Sequence, residues 1–314
     1  MKTMKHIPWM LLAVLAFATA CTQDELTDNP SAMSQTLEIA SATIARAEGD
    51  EATTTDAGTG TVDGNWVDGD EITVWFNSLY NPTTATYTYT DGGFTSDNPI
   101  DCNGQTAYAQ AWTNCGVTTA IMEPTGWKVK ADQSGDGYRQ SDFLYATILQ
   151  YKVGAGTPAN FTFHHQTAKI VVHVRNSGIV AGKTGLGMTV GNGNICIDGE
   201  VSFFDETVTW SQQNTPSTIT PYNLGQQPMS DRTTSLVSFG ALVIPQTISE
   251  GQTLFTFTVD GQTYTYTVPA GGITWEGGKE YTYNVTIGYE FKVEAEQSTN
   301  WNKGDSGSGS VALP

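Results

Sequence analysis

Basic residues are scarce in this chain. Fourteen Lys and Arg stand against 32 Asp and Glu, giving a formal charge of −18, and the arginines are only Arg46, Arg139, Arg175 and Arg232. Nucleic-acid binding is excluded as a function class, because phosphate neutralisation needs clustered Lys and Arg. Cysteine is scarce too: Cys21, Cys102, Cys115 and Cys196 form no CxxC pair and no Cys/His cluster, so no zinc site is expected. Cys102 and Cys115 could close a disulfide loop, which leaves Cys196 odd. No G-x-S-x-G nucleophile turn occurs. No repeat of solenoid length is present. Beyond Trp66 no stretch of ten or more residues keeps a helical period. What the chain has instead is Thr, Tyr, Val, Gly and Trp, which favour pleated sheets and turns.

The first residues have a different character. Lys2 and Lys5 precede an apolar run from Ile7 to Ala20, interrupted by Pro8 and Thr19. That run suits a secretion signal over residues 1–20 and is too short for a permanent membrane span. Ala18-Thr19-Ala20 lies directly before Cys21 and resembles a bacterial lipobox, with Ala18 where Leu is commonest. The resemblance implies acylation of Cys21 and anchoring to the outer membrane; an ordinary signal peptide with a chance cysteine is the alternative. Asp24 and Glu25 resemble the surface-export signal of Bacteroidetes lipoproteins.

Residues 21–60 read as a tether and pro-segment, polar and mostly without a packed core. Strands then begin. Ile72, Val74 and Phe76 alternate, as do the residues of Thr86–Thr90, and Ala107–Trp112 and Asp142–Val153 follow. Asp91-Gly92-Gly93, Asn103-Gly104 and Gly135-Asp136-Gly137 mark turns. A second series starts near residue 158: Asn160–His165, Ala168–Val174, Ala241–Ile244, a hairpin over 253–268 turning at Asp260-Gly261, and Tyr281–Ile287. Short strands punctuated by turns predict an all-β fold of two tandem β-sandwiches, at 61–155 and 156–314, joined at the breaker cluster Gly154, Gly156 and Pro158.

Several segments resemble, in order, the fimbrillin family of Bacteroidales. Gly69-Asp70-Glu71-Ile72 matches its early "G-D-x-I", and Asp132-Gln133 and Ser141-Asp142-Phe143-Leu144 match two spaced elements. Phe161-Thr-Phe-His-His-Gln-Thr-Ala-Lys-Ile170 is similar to its "F-x-H-x-x-A-K" strand. Pro245-Gln246 after Leu242-Val243-Ile244 matches "I-I-P-Q". Gly277-Gly-Lys-Glu-Tyr-Thr-Tyr283 matches "G-K-x-Y-x-Y", and Trp301-Asn-Lys-Gly304 a "W-x-x-G" ending. The resemblance implies transthyretin-like sandwiches used in pili or surface adhesins. It also implies that an Arg-specific protease cuts between Arg46 and Ala47 after export, removing an N-terminal strand whose groove another subunit's strand fills. Leu37, Ile39 and Ile44 could belong to the removed strand, although their alternation slips. As donor, Tyr289, Phe291, Val293 and Ala295 alternate cleanly with Glu290, Lys292, Glu294 and Glu296, and Val311 and Leu313 form a shorter candidate within 289–314. The same strand could equally pair inside its own domain.

Other candidates for chemistry are weak. His164 and His165 are adjacent and in a strand point to opposite faces; His173 shares a face with His165 only if one strand runs through both. Asp205-Glu206 would face apart, unlike a glycosidase pair. Asp132, Asp136 and Asp142 fit no calcium-loop spacing and read as solvated loop acids. Trp112, Trp127 and Trp210 could stack on sugars, but sandwich tryptophans are usually core. The expectation is therefore no enzyme, no metal and no cofactor. The chain is expected to be a fimbrial subunit or accessory component with other fimbrial subunits as partners. The alternative is a monomeric outer-membrane lipoprotein adhesin for a glycan or host ligand.

Overall fold

The computed structural model describes residues 36–45, 66–77, 82–102, 106–113, 125–152, 158–175, 185–204, 207–229, 235–287 and 291–301. Their elements in chain order are β1 (Ile39–Ile44), β2 (Glu71–Asn77), β3 (Thr83–Thr90), β4 (Gly93–Thr95), β5 (Thr106–Thr113), β6 (Thr125–Lys128), β7 (Leu144–Lys152) and β8 (Ala159–His165). There follow β9 (Ala168–Arg175), β10 (Gly187–Phe204), β11 (Thr207–Ile219), β12 (Tyr222–Gly225), β13 (Ser235–Val243) and β14 (Gln246–Ile248). The last are β15 (Thr253–Val259), β16 (Gln262–Thr267), β17 (Ile273–Trp275), β18 (Lys279–Ile287), β19 (Phe291–Ala295) and β20 (Thr299–Asn300). Apart from a 3₁₀ turn at Arg139–Ser141, the described residues are strands and their connections, so the fold is all-β.

The first sheet has seven strands in the order β1-β8-β7-β5-β2-β3-β4. It curls until its edges β1 and β4 touch. Ile72, Val74 and Phe76 of β2 point inside with Ala109, Ala111, Leu144, Phe161 and Phe163, the outcome of period-two alternation. The opposite face is also buried. Trp75, Trp112 and Tyr145 leave the first core and join the second. That is why β2 is buried at five consecutive positions instead of alternating.

The second half packs a sheet β11-β10-β15-β16 against a sheet β12-β13-β9-β18-β19. Between them lie Ile170, Val172, Val190, Ile197, Phe255, Phe257, Tyr283 and Val285. Two hairpins close with two-residue turns at positive φ, Asp91-Gly92 (52° and 89°) and Asp260-Gly261 (48° and 80°), the conformation for which Asp-Gly is selected.

Three features differ from the sequence expectation. The first sheet runs beyond residue 155, since β8 pairs β7 through Leu144↔His165 and Tyr145↔His164. Residues 21–60, expected mostly without a packed core, contribute Leu37 and Ile44 to the first core. And β6, although it falls between β5 and β7 in sequence, is not part of the first sheet: it pairs with Asp198–Val201 of β10 and joins the sheet of the second half.

Candidate functional site

The most informative site is the groove that holds β1. Within a sheet otherwise antiparallel, β1 lies parallel to β8, with Ala42 opposite Phe161 and Ile44 opposite Phe163. The register shifts between Ile39 and Ser41, the bulge behind the slipped alternation in the sequence. Backbone bonds extend the pairing at both ends, from Ala159 N to Glu38 O at 2.6 Å and from Ala45 N to Phe163 O at 2.8 Å. On the other side Leu37 N donates to Ile100 O at 2.8 Å. The Tyr87 hydroxyl bridges, donating to Leu37 O at 2.9 Å and accepting from Ile100 N at 3.2 Å. Leu37 is 1% exposed and Ile44 9%. Between them the chain offers only the half-buried Ile39 and Ala42 to the core.

A clasp closes over this strand. The Trp66 indole N–H donates to Ala42 O at 2.7 Å, while its ring stands edge-to-face on Phe94 at 5.0 Å and Phe163 at 5.2 Å. Trp66 and Tyr87 were not singled out by the sequence reading. The usable signal was local: each is an aromatic with a polar tip, Trp66 shortly before β2 and Tyr87 within β3, and such groups find a partner when buried.

A second cluster gathers several of the quoted sequence motifs at the seam where β8 passes into β9. His165 Nδ1 is hydrogen-bonded to Asp142 Oδ1 at 2.8 Å, both side chains being almost wholly buried. The His165 ring stacks on Trp301 at 3.5 Å and 10°, and Lys169 Nζ lies 5.5 Å from the Trp301 ring centre and 3.4 Å from Glu280 Oε2. Trp301 N donates to Gly278 O at 2.8 Å and Gly278 N to Thr167 O at 2.9 Å. At Gly277 a Cβ would meet Gln166 O at 2.5 Å, so the close approach of backbones requires glycine. These residues fix how the elements meet; their contacts are structural.

The remaining candidates separate. His164 is exposed and His165 buried, and Gln166 and Thr167 break the strand before His173. His173 Nδ1 is 2.6 Å from Ser238 Oγ, whose hydroxyl is 2.8 Å from Ser235 Oγ. Burial holds the His173 imidazole below its usual value, partly offset by Glu296 and Glu280. Asp142 is buried, correcting its reading as a solvated loop acid; it belongs to the His165 pair. Asp132 keeps that reading, its carboxylate accepting from Ser134 N at 3.0 Å and Ser134 Oγ at 2.6 Å. Among the described residues no group of acidic, His or Cys side chains could hold a metal ion. Cys102 is a free buried thiol, which burial pushes up to about 12. Trp112 and Trp127 are core residues at 2% and 1% exposure. Trp210 is half-buried and lines a cleft between the halves.

The C-terminal candidates Phe291, Val293 and Ala295 lie on β19, an edge strand antiparallel to β18. They pack, half-buried, against the second core, with Phe291 5.9 Å from Phe257. Tyr289, Val311, Leu313, Cys21, Arg46, Ala47, Cys115, Asp205 and Glu206 lie outside the described residues. Arg46 directly follows the last described residue of the β1 segment.

Residues 53–302 match the sequence model of a family described as fimbrillin-like. No curated protein is significantly similar in sequence. In fold the chain is similar to a candidate cell adhesion protein from Bacteroides ovatus ATCC 8483, at 19% identity and a TM-score of 0.59 over 85% of this chain and 97% of that one. It is also similar to one from Bacteroides uniformis ATCC 8492, at 18% identity and a TM-score of 0.58 over 76% and 94% of the two chains.

Proposed function

This chain belongs to the fimbrillin-like family, and on that premise we propose that it is a structural subunit or accessory component of a fimbria that supports cell adhesion. It is exported as a lipoprotein acylated at Cys21, reaches the outer-membrane surface, and assembles after cleavage between Arg46 and Ala47 by an Arg-specific protease. The observation that carries this reading is the seating of β1. It is an edge strand in parallel pairing, which is slightly less stable per residue than antiparallel pairing. It fills a groove in the first core with two anchors, Leu37 and Ile44, and it ends beside the only arginine before Arg139.

Cutting there turns a tethered strand into a separate peptide. Its departure exposes the β8 edge and the apolar sites of Leu37 and Ile44, and strand addition from another subunit satisfies both. Tyr289, Phe291, Val293 and Ala295 are the proposed donor residues, presenting one apolar face with Lys292 and Glu294 on the other.

The test is digestion of the soluble chain with an Arg-specific protease, then N-terminal sequencing and mild SDS gels. Wild type should begin at Ala47 and form SDS-resistant multimers, and Arg46→Ala should stay monomeric. Polymerisation of uncut protein, or a cut chain that stays monomeric at high concentration, overturns strand exchange. Cys21→Ser in a Bacteroidetes host should move the protein from the membrane to the soluble fraction.

A further inference from the structure

The groove of β1 serves assembly; the cleft beside Trp210 is a separate place. It has a volume of about 850 Å³ and is walled by the end of β8, by β11, and by the segments at Pro245–Thr247 and Thr274–Gly277. The β11 wall is tied across to the next by the Gln213 side-chain amide, which donates to Pro245 O. The Trp210 ring lines the cleft and is braced edge-to-face on Phe143 at 6.0 Å. The exposed Thr247 and Thr274 hydroxyls line the same cleft and lie 3.0 Å apart. His164, Gln166, Thr209, Gln246 and Glu276 add further polar groups to the lining.

The charge pattern selects the ligand. Glu276 is the one carboxylate among the described lining residues, and it is ion-paired with Lys279. Among the described residues the lining therefore carries no uncompensated carboxylate, while the whole chain is at −18. An anionic ligand meets the repulsive field of the protein, and a cation finds no free counter-charge. A half-buried indole beside paired hydroxyls and a side-chain amide suits a neutral ligand with one apolar face and a rim of hydroxyls. Such pockets combine an aromatic wall with a few placed polar groups. We infer that this cleft binds a neutral oligosaccharide, with one pyranose ring on Trp210 and its hydroxyls bonded to Thr247 and Thr274. This goes beyond the assembly reading and does not depend on it, because the site is complete within one chain.

The test uses the uncut full chain, so that it is independent of polymerisation. Saturation-transfer NMR and calorimetry would be run with lacto-N-neotetraose, its sialylated counterpart, and an extended hexapeptide of alternating Val and Thr. Saturable binding of the neutral sugar is expected, at sub-millimolar to millimolar strength, with the sialylated sugar at least tenfold weaker. Trp210→Ala should abolish binding. Because that change also removes packing on Phe143, a second variant, Thr247→Val/Thr274→Val, keeps the β-branched shape and removes only the hydroxyls. It should lose at least tenfold with an unchanged melting temperature. No saturable sugar binding, binding that both variants retain, or binding of the hexapeptide in preference would overturn the proposal, the last assigning the cleft and the β11 edge to a peptide.

Discussion

The Trp66 indole and the Ala42 carbonyl, 2.7 Å apart, join the chain that follows the proposed cleavage point to the strand that precedes it. Trp66 stays with the body of the protein whether or not β1 leaves, so its N–H is offered to whichever backbone fills the groove. In the uncut chain, Trp66→Phe removes this bond and retains most of the ring contact with Phe94 and Phe163. It should cost about 1 kcal/mol, the net worth of one hydrogen bond. Urea unfolding of Arg46→Ala with and without Trp66→Phe measures it. An unchanged midpoint would mean that the indole contributes only as an apolar wedge.

The pair formed by Asp142 and His165 is buried on both sides. Removing one partner of a buried hydrogen-bonded pair typically costs about 1–3 kcal/mol, and more where the group left behind is charged. Asp142→Ala should fall in that range. His165→Phe keeps a ring against Trp301 and still strands the carboxylate. The double variant Asp142→Ala/His165→Phe should lose less than the sum of the two single changes, and a double-mutant cycle reads that coupling. Strict additivity would show that stacking on Trp301, and not the Asp142–His165 hydrogen bond, holds the seam.

Some of this was legible in the sequence and some was not, for physical reasons. The alternation of Phe161 and Phe163 with Thr162 and His164 survives as alternate burial along β8, because one face meets core and the other solvent. Asp-Gly marked both tight turns, since a positive φ demands it. β10 and β11, by contrast, were missed as strands. Gly191 and Gly193 take positive φ, at 72° and 75°, and bend β10 where its pairing with β11 shifts register; a bulged, glycine-rich strand loses the period-two signature. The recruitment of β6 by β10 was hidden for another reason: four residues, one a glycine, carry no pattern. The burial of Asp142 depends on His165 and Trp301, both far along the chain, and local context around Gly135-Asp136-Gly137 suggested a loop.

Burial lowers the His173 imidazole from its ordinary value of 6.5, against the smaller opposing effects of Glu296 and Glu280. The sign follows from linkage. The unfolded chain binds the proton more readily, so the contribution is fully present above the unfolded value and is lost as pH falls through 6.5 toward the depressed folded value. The groups facing this histidine are the Ser238 hydroxyl and the two glutamates, and Asn284 donates to Glu296 at 2.5 Å. His173→Gln should flatten the stability profile between neutrality and mild acid, measured as urea midpoints at several pH values. A slope unchanged by the substitution would place the acid sensitivity elsewhere.

The final expectation concerns how firmly the groove holds β1. While the chain is intact, the strand is tethered and its effective concentration is high, so a weak fit suffices. After a cut at Arg46 the tether is gone and the anchors alone set the residence time. Leu37, fully enclosed by the first core and bonded through its backbone to Ile100 and Tyr87, is the stronger anchor; Ile44, at 9% exposure, is the weaker. Leu37→Ala typically forfeits at least about 2 kcal/mol of transfer and cavity energy, which corresponds to roughly a 30-fold weaker hold. Most of such a change appears in the dissociation rate. In the cut protein, strand release followed by size-exclusion chromatography should therefore be about 30-fold faster for Leu37→Ala, with a smaller change for Ile44→Ala, and multimers should appear correspondingly sooner. Uncut Leu37→Ala should remain monomeric, because its strand cannot diffuse away. If the cut variant keeps its strand as long as wild type does, then something other than the Leu37 anchor retains β1, and release by loss of the tether is the wrong account of what cleavage does.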